Sequence, residues 1–128
     1  MCPHSAGKSL AAATYFRAAA FRAGLDVHIA VAGPEPDEVN MPNVVEALTA
    51  QGYRIDWHPH LVTEQDTTDA THLISIGCDH DAIPTDKRIV EWDVPMISQD
   101  LPESLRAIHD RCEDLARNLA TPPPTRIG

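Results

Sequence analysis

Apolar residues recur along this chain in two rhythms that take turns. Ala12, Phe16, Ala19, Ala20 and Ala23 fall at helical spacing in an alanine-rich stretch. They predict a helix over residues 8–23, with Arg17 and Arg22 off the stripe and Gly24 ending it as a left-handed cap. Residues 25–31, Leu-Asp-Val-His-Ile-Ala-Val, alternate as a strand does, with His28 on a solvated face, and Gly33 and Pro34 close the run. Met41, Val44, Val45 and Leu48 make one face of a helix over 42–51, with Pro42 in its first turn and Gly52 as its stop. Residues 53–62 read as extended and irregular, and Thr63 with Asp66 three places on caps a short helical turn. Leu-Ile-Ser-Ile over 73–76 is a buried strand and 88–92 the last one. Asp100 and Glu103 open the final helix, whose core stripe is Leu101, Leu105, Ile108, Cys112, Leu115 and Leu119.

Strands alternating with helices predict an α/β fold with a parallel sheet, and ligands of such sheets sit beyond the carboxyl ends of the strands. Three loops meet there on this reading: residues 2–9, 77–81 and 93–100. The domain is expected over 1–120, with a Pro-rich flexible tail over 121–128.

Composition narrows the function classes. A chain of 128 residues, 43% of them apolar, forms one domain with a real core. A net charge of -9 without a basic stripe argues against nucleic acid. No apolar run reaches the length of a membrane span, and the N-terminus does not read as a signal peptide. Three scattered cysteines suggest a reducing cytoplasm rather than a disulfide framework.

The chemistry is concentrated in Cys2-Pro3-His4-Ser5-Ala6-Gly7-Lys8-Ser9, a Cys-x5-Lys-Ser stretch that runs straight into the first helix. A tight loop of backbone N–H groups at a helix N-terminus, closed by a cation, is a nest for a tetrahedral oxyanion. The same field lowers a thiol pKa, and a thiolate beneath a bound oxyanion is placed to attack phosphorus or arsenic. The candidate oxyanion-binding residues are His4, Ser5, Ala6, Gly7, Lys8 and Ser9, with Cys2 as nucleophile. His4 beside Cys2, His80 beside Cys78, and the His58/His60 pair show no metal-ligand spacing, so no metal is expected. Cys112 lies on the core stripe and reads as structural. Ala6-Gly7-Lys8-Ser9 also copies the end of a nucleotide-binding loop, with Cys2 where that motif has its first glycine.

In four segments taken in order, the chain resembles the low-molecular-weight protein tyrosine phosphatase family, most of all its arsenate reductase branch. Cys2-x5-Lys8-Ser9 stands where the family has Cys-x5-Arg-Ser. Val31-Ala32-Gly33 matches its Ser-Ala-Gly, and Ile76-Gly77-Cys78 resembles the Met-Gly-Cys of the thioredoxin-coupled reductases. Lys87-Arg88 through Glu91-Trp92-Asp93 resembles the approach to its acid loop. The resemblance implies a parallel-sheet, three-layer phosphatase fold and a small oxyanion or phosphoester as ligand. It implies Cys2, Lys8 and Cys78 as the catalytic set, with Cys78 as resolving thiol. It implies no bound cofactor, the electron donor being an external low-molecular-weight thiol or thioredoxin.

Four departures follow from the same comparison. The family's central first strand precedes its loop, whereas here the sequence opens at Met1, so that strand is missing or replaced, by upstream residues, another segment or a second chain. Lys8 gives a point charge where arginine gives a planar fork. Met96 stands at the position of the general-acid aspartate, leaving Asp93 as the candidate acid. The second redox cysteine is reduced to Cys78. Two expectations stand side by side: a thiol-coupled arsenate reductase or phosphatase of reduced activity, and a catalytically impaired oxyanion-sensing or protein-binding module. A homodimer joined through the vacated sheet centre would favour the second, and a degenerate nucleotide-binding loop is a third reading.

Overall fold

A computed structural model describes residues 1–120; the expected Pro-rich tail, 121–128, lies outside the described residues. The elements in chain order are α1 (Lys8–Arg22), α2 (Pro42–Ala50), α3 (Glu64–Asp69), β1 (Leu73–Ser75), a single 3-10 turn (His80–Ala82), β2 (Ile89–Glu91) and α4 (Leu101–Ala120).

The caps are those that the sequence predicts. Gly24, at φ +72°, ends α1, and the Gly24 and Leu25 amides donate to the Phe21 and Ala20 carbonyls at 3.1 and 2.9 Å. Thr63 and Asp66 form a reciprocal capping box at α3: the Asp66 amide donates to Thr63 Oγ1 at 3.2 Å, and the Thr63 amide to Asp66 Oδ2 at 2.9 Å. Asp100 Oδ1 accepts from the Glu103 amide at 3.1 Å, which makes Asp100 the cap of α4.

Helix α1 departs from the one-sided stripe. Ser9, Leu10, Ala11, Ala13, Thr14 and Tyr15 are all buried, whereas Ala12 and Phe16 are half-buried and Ala23 is exposed. The reason is its position. Leu10, Ala11 and Tyr15 share one core cluster with Val44 and Leu48 of α2, Ile76, Trp92, and Leu105, Ile108 and Cys112 of α4. A helix covered from several sides needs small residues all round, which explains the run of alanines. On α4 the stripe holds at Leu105, Ile108 and Cys112, but Ser104 and Ala116 are buried where Leu115 and Leu119 are only half-buried.

Strands β1 and β2 are parallel, in register Leu73–Ile89, Ile74–Val90 and Ser75–Glu91. The Trp92 amide extends the ladder to Ser75 O at 2.8 Å. Along the other edge of β1, Met1 supplies one rung: its nitrogen donates to Ile74 O at 2.7 Å, and its carbonyl accepts from the Ile76 amide at 2.6 Å. Met1 thus stands in ladder position beside β1.

The strand expected over 25–31 is corrected by the structure. Those residues carry no strand assignment, and only Gly33 just beyond them forms a bridge, a parallel one to Leu61. A strand exists only where a neighbour offers donors and acceptors at ladder spacing, and among the described residues none does so along 25–31. A side chain and burial anchor it instead: Trp57 Nε1 donates to Ile29 O at 3.2 Å, and Val31 and Ala32 are buried.

Lys87 ties the approach to β2 onto α3. Its ammonium donates to the carbonyls of Thr67, Thr68 and Ala70 at 2.8, 2.7 and 3.0 Å, filling the carbonyl-lined C-terminus of the short helix.

The contrast on α4 gives a stability test. Ile108→Ala removes a side chain that is 0% exposed and should cost about 2–5 kcal/mol in urea unfolding. Half-buried Leu115→Ala should cost less than half of that.

Candidate functional site

The 2–9 loop is shaped by what its carbonyls do. Pro3 O, His4 O and Ala6 O accept from the amides of Glu35, Asp37 and Met41, each at 2.9 Å. Cys2 O accepts from Ser5 N at 3.2 Å and Gly7 O from Ala11 N at 3.0 Å. Ser5, at φ +55°, makes the left-handed step that lets the chain curl, and Ser5 Oγ accepts from the His60 amide at 3.4 Å. With the Pro3, His4 and Ala6 carbonyls engaged by the 35–41 segment, several loop amides are left without partners. Among the described residues, the N–H groups of His4, Ala6 and Lys8 have no hydrogen-bond partner. Bare backbone donors in an otherwise buried loop are a standing demand for an acceptor.

Gly33 explains how the loop is pressed into place. A Cβ there would stand 2.3 Å from Cys2 O, 2.8 Å from Pro3 O and 2.9 Å from Ser5 N. Backbone packs on backbone, and no side chain larger than hydrogen fits. Gly7 is held from the other side, where a Cβ would meet Met41 Sδ at 2.4 Å and Ile97 Cδ1 at 3.1 Å.

Cys2 lies at the base of the loop and is 4% exposed. The Ser9 amide donates to its sulfur at 3.4 Å. Burial pushes the thiol pKa up, but the Ser9 hydroxyl and amide, the Met1 amino group and the Gly7 amide outweigh it, and the net shift is downward. The buried Ser9 hydroxyl has no other partner in the structure. Lys8 reaches from the first turn of α1 across to the loop after β1, where its Nζ lies 3.2 Å from the point a Cβ on Gly77 would occupy. Gly77, at φ +84°, follows Ile76 of the core.

Cys78 is buried and sits in the same electrostatic neighbourhood as Cys2. Its thiol is pushed up, first by burial and then by the nearby Cys2 and Glu91, against the pull of the Met1 amino group and the Ser75 hydroxyl. Cys2, Lys8 and Cys78 are thus gathered at the carboxyl end of β1, as the sequence implies.

Other expected residues go elsewhere. His4 turns outward: its Nδ1 contacts Glu35 O at 3.0 Å and Asp37 Oδ1 at 3.5 Å, so only its backbone faces the loop interior. Asp93 is exposed and makes no hydrogen bond or ion pair with any site residue. Met96, at the acid position, is 54% exposed, while Ile97 packs on Gly7. His60 pairs with Asp66 at 3.3 Å. Cys112 Sγ donates to Ala12 O at 3.3 Å, and burial pushes its pKa up to about 12.

One polar cluster beside Gly77 and Cys78 escapes a reading of motifs. Glu91 Oε1 accepts from Ser75 Oγ at 2.8 Å and meets His80 Nε2 at 2.9 Å, while Glu91 Oε2 accepts from the Gly77 amide at 2.9 Å. Ser75 Oγ accepts in turn from the Cys78 amide at 3.2 Å. Burial raises the Glu91 pKa, but these donors more than reverse it. A serine inside the apolar run Leu-Ile-Ser-Ile was the available signal.

The sequence matches no protein-family model, and it matches no curated protein significantly. Solved structures match well. A thioredoxin-dependent arsenate reductase of Corynebacterium glutamicum is 25% identical over 92% of this chain, with a TM-score of 0.67. This chain spans 56% of that protein's length. The Bacillus subtilis protein YfkJ is 21% identical at a TM-score of 0.80, covering 92% of this chain and 90% of its own. A low-molecular-weight phosphotyrosine phosphatase of Vibrio cholerae is 15% identical at a TM-score of 0.57, covering 93% of this chain and 88% of its own. The fold is that of the low-molecular-weight phosphatases and arsenate reductases, an α/β fold around a small parallel sheet. No helix among the described residues is long and apolar enough to cross a membrane.

Two tests follow. Gly33→Ala should lower stability by roughly 1–3 kcal/mol, the usual range for overpacking, and should weaken phosphate binding by isothermal calorimetry. The second concerns pH. Folded Cys112 keeps its proton up to about pH 12, whereas the unfolded thiol loses it above about 8.5. The folded state then binds more protons, so stability falls as pH rises through that window. Urea midpoints between pH 8 and 10.5 should fall less steeply in Cys112→Ala.

Proposed function

We propose that on this low-molecular-weight phosphatase fold the 2–9 loop binds a tetrahedral oxyanion, arsenate or phosphate, and that the protein is a thiol-coupled arsenate reductase with Cys2 as nucleophile. The observation that carries the reading is the loop itself: amides of His4, Ala6 and Lys8 without partners in the loop that holds a buried cysteine whose ionised form is favoured.

In this reading the amides of His4, Ala6 and Lys8 and the Lys8 ammonium hold the anion oxygens. Cys2 attacks arsenic(V), and an arsenate oxygen leaves as water or hydroxide. Cys78 then attacks Cys2 Sγ, forming a disulfide. The electron pair of the broken S–As bond stays on arsenic, which departs as arsenite. A low-molecular-weight thiol or thioredoxin reduces the disulfide. A phosphoester would need a protonated leaving group, and Met96 offers no acid, so the phosphatase branch is disfavoured. In arsenate the departing oxygen can already carry its proton as an As–OH group, so its loss does not require an acid at the Met96 position. The reductase reading also agrees with the corynebacterial structure, a thioredoxin-dependent arsenate reductase.

A second reading has its own support. A lysine in place of the forked cation, together with Met96, is what an oxyanion-sensing or protein-binding module would retain after losing catalysis.

The assay is arsenate reduction driven by thioredoxin or a small thiol, alongside hydrolysis of para-nitrophenyl phosphate. Turnover of arsenate that Cys2→Ser abolishes is the expected result; anion binding without turnover, indifferent to Cys2→Ser, would favour the sensing module. Lys8→Met should weaken arsenate affinity about tenfold, in line with the loss of one charge-assisted hydrogen bond. Lys8→Arg should retain or improve it.

A further inference from the structure

We propose that Glu91 is a positioning residue for Cys78: its carboxylate gathers three donors around the turn after β1 and so sets the second thiol beside the Cys2 loop. The proposal deepens the reductase reading and rests on its assignment of Cys78 as the resolving thiol.

The need arises where the ladder stops. Its last rung runs from the Trp92 amide to Ser75 O at 2.8 Å. Beyond it the chain turns away through Gly77, at φ +84°, and the amides of Gly77 and Cys78 have no backbone acceptor. A buried amide left without any acceptor costs about as much as a lost hydrogen bond. Glu91 meets that need with its side chain. Strand register sets it opposite Ser75. Its Oε2 accepts from the Gly77 amide at 2.9 Å, and its Oε1 accepts from Ser75 Oγ at 2.8 Å and from His80 Nε2 at 2.9 Å. Ser75 Oγ in turn accepts from the Cys78 amide at 3.2 Å. Gly77, Cys78 and His80 are therefore all tied to one carboxylate, directly or through Ser75.

The residue type follows from the donor count. An ionised carboxylate only accepts, and it has room for three donors. Those donors outweigh burial and hold Glu91 below its usual pKa. Among the described residues, no other carboxylate reaches the turn amides. Asp79 Oδ1 caps the Asp81 amide at 3.0 Å, and Asp93 makes no hydrogen bond to them.

Two features make the position of the turn matter. The Ile76 amide, just before it, donates to Met1 O at 2.6 Å, so the Cys2 loop and the Cys78 turn leave the same ladder side by side. Lys8 Nζ lies 3.2 Å from the point a Gly77 Cβ would occupy, so the loop cation rests against the same turn. A turn released from Glu91 carries Cys78 away from Cys2 and takes from Lys8 the wall it leans on.

The test uses the full chain in a Cys112→Ala background, with glutathione as the probe and no arsenate. Oxidised glutathione and the two protein thiols give the Cys2–Cys78 disulfide and two reduced glutathiones. The equilibrium constant, read by acid quench and mass spectrometry, is the effective concentration of Cys78 at Cys2. Glu91→Gln turns an NH2 group toward one of the three donors. The effective concentration should fall on the order of tenfold, as expected for one lost hydrogen bond to a charged group. Glu91→Asp keeps the charge but stops one methylene short, and the same fall is expected. Alkylation of Cys2 by iodoacetamide should keep the parent rate, since the donors to its sulfur come from Ser9 and Gly7. His80→Leu, at a side chain 44% exposed, withdraws one donor and should show a milder fall; it decides if neither Glu91 variant folds. Parent-like effective concentrations would overturn the proposal. So would a fall matched by an equal fall in Cys2 alkylation, which marks a loosened fold rather than a displaced turn. A parent that forms no Cys2–Cys78 disulfide would overturn it as well. The expected fall without arsenate turnover would leave the role of Glu91 standing and sink the reductase reading.

Discussion

The site depends on one backbone-to-backbone contact. Gly33 presses against Cys2, Pro3 and Ser5 closely enough to exclude any Cβ, and the amides of Glu35, Asp37 and Met41 take up the carbonyls of Pro3, His4 and Ala6. The loop is thus shaped less by its own preference than by the chain that follows α1, which takes up its acceptors. Ser5 carries the strain of the curl at φ +55°, and its buried hydroxyl is fixed by the His60 amide.

This arrangement also resolves an electrostatic difficulty. The protein carries a net charge of -9, and a binding site for an anion must work against that field. Fixed amide dipoles do so locally, without bringing in many cations. Lys8 is the one cation the loop itself supplies, and it bridges the start of α1 and the turn after β1. Cys2 and Cys78 show the same local control. Both are buried, yet donors outweigh burial at Cys2 and lower its pKa, while at Cys78 burial wins and raises it.

Much of the fold was legible because its signals are local. The caps at Gly24, Thr63 and Asp100 and most of the periodic stripe of α4 follow from residues close in sequence. What failed was non-local. Residues 25–31 alternate correctly, but a strand needs a neighbour, and alternation cannot say whether one is present. The breadth of burial on α1 was hidden because alanine is equally at home on one side of a helix or all round it. His4 and Asp93 have the right chemistry, but their side chains are directed elsewhere by contacts that spacing does not encode. The Ser75–Glu91 pair is a matter of strand register, which only the folded sheet fixes.

Because the cradle is tied through the main chain of Glu35, Asp37 and Met41, its shape is indifferent to the side chains at the first two of those positions, both of which are exposed. The rim of the mouth can therefore be recut by mutation, changing the charge or bulk presented to whatever approaches, while the pocket beneath keeps its form. Surface character and loop shape are mechanically decoupled in this corner of the molecule, which lets selection revise one without rebuilding the other.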